Sequence, residues 1–192
     1  EAVYEEKNMS LTRDNSKVQE AIFSSLFPKH PYGTQTVLGT QENLKNPSIT
    51  NIKNYYKQWY VPNNMAICMS GDLDPDATIA LIDKYFGGLK PNPELPKLDL
   101  PKEAPITQPV VKEVLGPDAE SVALAWRFPG VSDKDFEILQ VVSQVLYNGK
   151  AGLIDLDLNQ QQKVLNSYGY PMGLADYSAF ILGGLPKQGQ TL

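Results

Sequence analysis

Residues 55–73 constrain the fold of this chain more than any other segment, because a helix, a stop, an apolar run and a turn follow one another directly. Pro62 disfavours the α region for the residue before it and predicts the end of a helix over residues 48–60. Met65 to Met69 is an unbroken apolar run, which predicts a strand covered on both faces. This order of elements predicts an α/β or α+β domain. The aromatic or aliphatic residues at helical spacing are at positions 49, 52, 55, 56, 59 and 60.

Two further helical segments flank this block. An acid and a proline at positions 74 and 75 open a helix predicted over residues 75–86, and two glycines close it. The segment from Glu1 to about Phe27 is predicted to be helical with a break near Asp14. The two prolines and the glycine that follow, up to Gly33, predict a loop.

The sequence changes character between the two ends of the chain. Residues 91–108 carry few periodic signals, and their prolines predict an extended connector laid along a surface. The prolines in and beside this stretch are at positions 91, 93, 96, 101, 105 and 109.

Regular patterns resume beyond the connector. Residues 121–128 alternate in polarity and predict a strand with four large apolar side chains on one face: Val122, Leu124, Trp126 and Phe128. Ser132 and Asp135 resemble a capping box and predict the start of a helix. The remaining predicted elements are a helix over 153–165 and strands near 167–175 and 177–183.

Composition excludes several classes of protein. The net charge is −5 and only two arginines are present, Arg13 and Arg127, which argues against nucleic acid as a partner. No apolar run approaches the length of a membrane span. The single cysteine, Cys68, excludes an internal disulfide and a cysteine-based metal cluster, and its place in the apolar run predicts a packed thiol.

One string in the sequence resembles a known family. Tyr-Tyr-x-x-Trp-Tyr-x-Pro-Asn-Asn-Met at 55–65, Gly-Asp-Leu-Asp at 71–74 and Lys-Tyr-Phe-Gly-Gly-Leu at 84–89 resemble the pitrilysin and insulin-degrading enzyme family, which includes the mitochondrial processing peptidases. Members are zinc endopeptidases of the inverted H-x-x-E-H type. The resemblance extends back through His30-Pro31-Tyr32-Gly33 to Val3-Tyr4-Glu5-Glu6, and more weakly to the end of the chain.

The resemblance implies a fold and a domain organisation. Family members are built from tandem related α+β units with mixed, largely antiparallel sheets flanked by helices. Residues 1–90 are then expected to be the back half of a zinc-bearing unit, and residues 109–192 the front half of the next unit. Residues 91–108 are the proline-rich connector between them, and the chain is expected to be a fragment of a larger protein.

The only histidine cannot form a metal centre by itself. Catalytic zinc takes three protein ligands and an open position. His30 lies in a loop between Lys29 and Pro31, which predicts an exposed or hydrogen-bonding side chain. The chain contains no H-x-x-E-H, so it is expected to be inactive alone.

Glu6 is the candidate metal ligand. The resemblance places the family's third zinc ligand, a glutamate on a separate helix, at this position. On a helix the neighbours of Glu6 at three and four residues are uncharged: Ala2, Val3, Met9 and Ser10. The alternative is that Glu5 and Glu6 are surface acids near a helix start, where the helix dipole favours them.

The function implied is hydrolysis of peptide bonds in extended peptides by a zinc metalloendopeptidase of which this chain is a part. Zinc is the expected cofactor of the intact protein. The expected partners are a peptide substrate and the remaining units of the polypeptide or a partner subunit. The sequence does not assign a cellular location, although the resemblance is compatible with the bacterial periplasm or cell envelope. The alternatives are a non-catalytic structural or partner subunit of the family, and an unrelated α+β binding module.

Two further groups of candidate residues lie near the end of the chain. Many family members carry an arginine and tyrosine pair that grips the substrate carbonyl, but residues 153–170 contain no arginine. Tyr168 and Tyr170 are therefore predicted to be packing residues of a strand. Asp155 and Asp157 are predicted to be solvated acids at a helix start.

Overall fold

The computed structural model describes residues 1–191 and has an α+β fold, which confirms the predicted class. Its elements, in chain order, are α1 (Ala2–Leu11), α2 (Asp14–Leu26), α3 (Pro31–Thr34), α4 (Gln41–Lys45), α5 (Ile49–Trp59), α6 (Pro75–Phe86), β1 (Val122–Pro129), α7 (Lys134–Leu146), β2 (Asn166–Gly173) and β3 (Tyr177–Leu185). A 3₁₀ turn at Pro62–Asn64 and a π-helical turn at Asp155–Asn159 complete the regular structure. Among the residues described, no helix is both long and apolar enough to cross a bilayer.

The chain divides into two compact units that interleave in sequence. The first consists of residues 1–7 and 38–100, and the second of residues 8–37 and 101–192. The division of the chain at residues 91–108 stays a prediction. The described residues between Phe86 and Val122 form neither helix nor strand.

Helices α5 and α6 of the first unit begin and end within one residue of their predicted bounds. The Ser48 hydroxyl accepts the Asn51 N–H at 3.3 Å and opens α5, which ends before Pro62. Asp74 Oδ1 accepts the Ala77 N–H at 2.8 Å and opens α6. Each cap satisfies an N–H that has no partner inside its helix.

The predicted buried strand at Met65–Met69 is wrong. This segment is extended but unpaired, and its side chains are exposed, including Met65, Ile67 and Met69. The Cys68 thiol is likewise exposed, not packed. An apolar run becomes a strand only when another strand takes its backbone hydrogen bonds. The described part of the first unit contains helices and turns but no strand, and Lys7 is its only buried residue.

The second unit is built on one antiparallel sheet with strand order β1-β3-β2. The three predicted strands are confirmed to within about two residues. Ala123 pairs with Gly183 in β3, and Gly183 pairs in turn with Tyr168 in β2. Central β3 is therefore hydrogen-bonded on both sides and carries the most buried residues of the sheet.

The core of the second unit lies between α2 and one face of the sheet. Leu26 and Phe27 pack against Ala179 and Ile181 of β3, and all four are buried. Ala125 of β1 lies on this face, so the small side chains of β1 point to the core. The alternation predicted in β1 is present, but its large apolar side chains lie on the more exposed face: Val122, Leu124 and Trp126.

Two local predictions in the second unit require correction. The cap of α7 is Asp133, not Ser132, because the Asp133 carboxylate accepts the Asp135 N–H at 2.9 Å. The helix predicted over 153–165 shortens to a few residues that end in the π-helical turn. Gln162 adopts a positive φ of 51° and takes the chain out of the helical conformation.

Candidate functional site

Glu6 lies on α1 in the first unit, and its side chain is exposed. The buried charged residue of this helix is its neighbour Lys7, at 6% exposure. No group of three or more histidine, cysteine, aspartate or glutamate residues within residues 1–191 is arranged to hold a metal ion. A zinc ion needs three protein ligands, so the described residues alone do not fit one. The role of Glu6 as one ligand of a larger site stays a prediction.

His30 is fully buried and caps α3, so the expectation of hydrogen bonding is confirmed and that of exposure is wrong. Its Nδ1 accepts the Tyr32 N–H at 3.3 Å. A neutral imidazole that accepts at Nδ1 carries its proton at Nε2. Among the described residues the buried Nε2 has no hydrogen-bond partner, and Oδ2 of Asp176 lies 3.6 Å away, beyond hydrogen-bond distance. The lone pair of Nδ1 is therefore engaged by the Tyr32 N–H.

A carboxylate and a guanidinium hold the second unit together beside His30. Glu103 Oε1 accepts the N–H groups of Lys29 and His30, each at 2.7 Å. Its Oε2 lies 3.8 Å from Nη1 of Arg127, and the Glu103 side chain is only 1% exposed. Arg127 also donates to the carbonyls of Leu26 and Ala104.

Tyr177 of β3 completes this cluster. Its hydroxyl accepts the Glu103 N–H at 2.8 Å, and its ring centroid lies 5.6 Å from Cζ of Arg127. Every charged group is therefore matched by an opposite charge, a ring or a backbone dipole. The hydrogen-bonding groups of Glu103, Arg127 and Tyr177 bond to one another or to the backbone, so the cluster stabilises the fold of the second unit.

Asp155 is buried, which corrects the prediction of a solvated acid; Asp157 is exposed as predicted. Asp155 Oδ2 accepts three backbone N–H groups, from Asn148 at 2.9 Å, Gly149 at 3.0 Å and Gly152 at 3.1 Å. Desolvation by itself raises the pKa of the Asp155 carboxyl. The three backbone N–H groups and the Asn159 side chain outweigh it, so the pKa of Asp155 lies below its ordinary value.

Acid is expected to destabilise the second unit through this carboxylate. A pKa that is lower in the folded state contributes stability above the ordinary aspartate pKa, and that stability is lost as the pH falls through the folded pKa. The free energy of unfolding should therefore fall from about pH 4 downwards. Chemical denaturation between pH 7 and pH 2.5 measures the slope. Asp155→Asn should flatten it, while the exposed control Asp157→Asn should not; equal slopes in both variants would contradict this role of Asp155.

The polar residues beside Asp155 also form hydrogen bonds within the second unit. Asn159 bonds both backbone groups of Ser167, and Tyr168 and Tyr170 are strand residues whose ring centroids lie 6.1 Å apart. The predicted strand placement of the two tyrosines is confirmed. Asp155 and Asn159 also line part of a shallow depression in the surface. Their polar atoms already form hydrogen bonds within the chain.

Two of these groups carry a signal that sequence reasoning missed. Arg127 follows Ala123 and Ala125 at a period of two, so its alternation places a charge on the face of small side chains. A charged side chain on a buried face needs a partner of opposite charge. No sequence pattern near Arg127 identifies that partner as Glu103, which lies 24 positions earlier. Asp155 follows Asn148-Gly149 and Gly152, and glycine-rich turns expose the N–H groups that bind a carboxylate.

Helices packed on an antiparallel sheet, with one exposed candidate ligand, define an α+β body that holds no metal centre within the described residues. Residues 48–189 match the family described as the peptidase M16 inactive domain. The chain therefore belongs to the peptidase M16 family, which confirms the resemblance found in the sequence.

Individual relatives agree with this assignment. Zinc protease PqqE of Helicobacter pylori is 28% identical over 172 residues, which cover 86% of this chain and 38% of that protein. The crystal structure of a protease from Helicobacter pylori superposes with a TM-score of 0.77 at 26% identity, covering 97% of this chain and 46% of that one. Pitrilysin has the same fold, with a TM-score of 0.70 at 20% identity over 97% of this chain and 21% of its own. The chain thus spans less than half the length of these relatives.

Proposed function

We propose that this chain is part of a zinc-dependent endopeptidase that cleaves extended peptides. The observation that carries the proposal is the similarity to zinc protease PqqE over 86% of the chain. The matched family is an inactive domain, and the chain has no H-x-x-E-H motif. The chain itself therefore contributes the body of the enzyme and not its general base.

Glu6 is proposed as one of three zinc ligands of the intact protein. Its exposure on α1 supports this role, because an exposed carboxylate is available to a metal held partly by other residues. The two remaining ligands belong to residues outside those of this chain. They are proposed to be the two histidines of an H-x-x-E-H motif in the same zinc-bearing unit.

The test removes the proposed ligand from the full-length protein that contains this chain. Glu6→Gln is expected to lower bound zinc well below one ion per protein and to reduce kcat/KM on an unstructured peptide by at least about 100-fold. Glu5→Gln is the matched control on the same helix and should keep both values. Zinc content is measured by plasma mass spectrometry, which reports binding separately from turnover. Full zinc occupancy in Glu6→Gln would refute the assignment of Glu6.

A non-catalytic partner subunit is the second candidate. The description of the matched domain as inactive favours it. A full-length protein that binds no zinc and cleaves no peptide, yet forms a complex with an active relative, would establish this alternative and exclude the first.

A further inference from the structure

The hydrogen-bond ladder of the sheet determines which backbone groups of β2 face outwards. In an antiparallel pair, alternate residues direct both their N–H and C=O groups away from the partner strand. The Ser167 N–H and C=O both bond a side chain outside the sheet, so Ser167 is one of these outward residues. The others follow at a period of two and are Gly169, Pro171 and Gly173.

Asn159 occupies the position of a neighbouring strand at Ser167. Its Nδ2 donates to the Ser167 carbonyl at 2.8 Å, and its Oδ1 accepts the Ser167 N–H at 2.8 Å. One side-chain amide thus makes the donor and acceptor pair that a backbone amide of an added strand would make. The Ser167 hydroxyl adds a third bond to Oδ1 at 2.9 Å.

The next positions along this edge are also closed. The Ser143 hydroxyl of α7 donates to the Gly169 carbonyl at 3.3 Å. Pro171 has no N–H to offer an added strand. At the opposite edge of the sheet, the outward residues of β1 are Ala123, Ala125 and Arg127, and within residues 1–191 their backbone groups receive no such cover.

We propose that Asn159 closes the edge of β2, where Ser167 is only 5% exposed, against strand addition by a second copy of this chain. An unpaired strand edge is a template for edge-to-edge association, and proteins block it with local devices. The side-chain amide of Asn159 is such a device, held in place by the π-helical turn Asp155–Asn159. Association of the chain through this edge depends neither on zinc nor on peptidase activity.

The test compares variants of the whole 192-residue chain by sedimentation velocity. Asn159→Ala is expected to raise the concentration-dependent average mass up to about twofold above wild type, because the Ser167 N–H and C=O become available. Amide hydrogen exchange at Ser167 should accelerate by roughly tenfold, which reports the loss of its acceptor. Gln160→Ala is the matched control, since Gln160 bonds the Lys150 carbonyl and not the strand.

A rescue locates the association at this edge. Adding Ser167→Pro to Asn159→Ala removes the outward N–H, as Pro171 does naturally, and should return the mass to the wild-type value. Association that persists in the double variant would arise elsewhere and would overturn the proposal. Faster exchange at Ser167 without a rise in mass would overturn it as well. If Asn159→Ala fails to fold, Asn159→Asp is the second variant, because its carboxylate still accepts the Ser167 N–H but cannot donate to the Ser167 carbonyl. The mass of this variant should also rise above that of wild type, and a mass equal to wild type would contradict the proposal.

Discussion

Replacing Arg127 by methionine is expected to lower the free energy of unfolding of the second unit by about 3–5 kcal/mol. The Arg127 side chain is 10% exposed and that of Glu103 is 1% exposed. Removing the guanidinium leaves a buried carboxylate whose Oε2 has lost its countercharge, and a buried unpaired charge is costly. Denaturant unfolding followed by Trp126 fluorescence, in a Trp59→Phe background, measures the loss.

A double-mutant cycle separates the pair from the packing of the arginine stem. Glu103→Gln removes the charge while keeping an acceptor for the Lys29 and His30 N–H groups. In the Arg127→Met background it should therefore restore part of the lost stability, so that the two effects are less than additive. Strict additivity would show that the ion pair contributes nothing. Arg13→Met, at the other and exposed arginine, should change the stability by less than about 0.5 kcal/mol.

Phe27→Ala is expected to cost about 3–5 kcal/mol, which is the range for truncation of a fully buried phenylalanine. Phe27 is 0% exposed. Its ring centroid lies 5.6 Å from those of three other aromatic residues, which are Phe23, Tyr32 and Tyr177.

The same unfolding measurement tests this variant, with Phe86→Ala as its control. Phe86 ends α6 in the first unit and is 44% exposed. Its truncation should leave the midpoint of the second unit's transition unchanged. A loss for Phe27→Ala no larger than about 1 kcal/mol would show that Phe27 is not the centre of this core.

Local signals were sufficient for most elements of the fold. Helices α5 and α6 are capped by Ser48 and Asp74 and end before Pro62 and Gly87, because caps and breakers act within one turn of the chain. The three strands follow from alternation. The apolar run at Met65–Met69 shows the limit of such signals, since a strand also depends on a partner that a local pattern does not specify.

The polar clusters could not be predicted because their partners are distant in sequence. His30 and Glu103 are 73 positions apart, and only the packing of α2 on the sheet brings them together. The candidate zinc ligand shows a different limit. Glu6 follows from resemblance, and no geometry within the described residues completes a metal site around it.

The interleaving of the two units has a consequence for chain entropy. Lys29 and Glu103, joined by a 2.7 Å hydrogen bond, close a loop that contains all of residues 38–100. Each doubling of loop length adds only about 0.6 kcal/mol to the cost of closing it. The stability of the second unit therefore depends only weakly on the number of residues in this loop. Insertions or deletions between residues 38 and 100 are therefore expected to change the stability of the second unit only slightly.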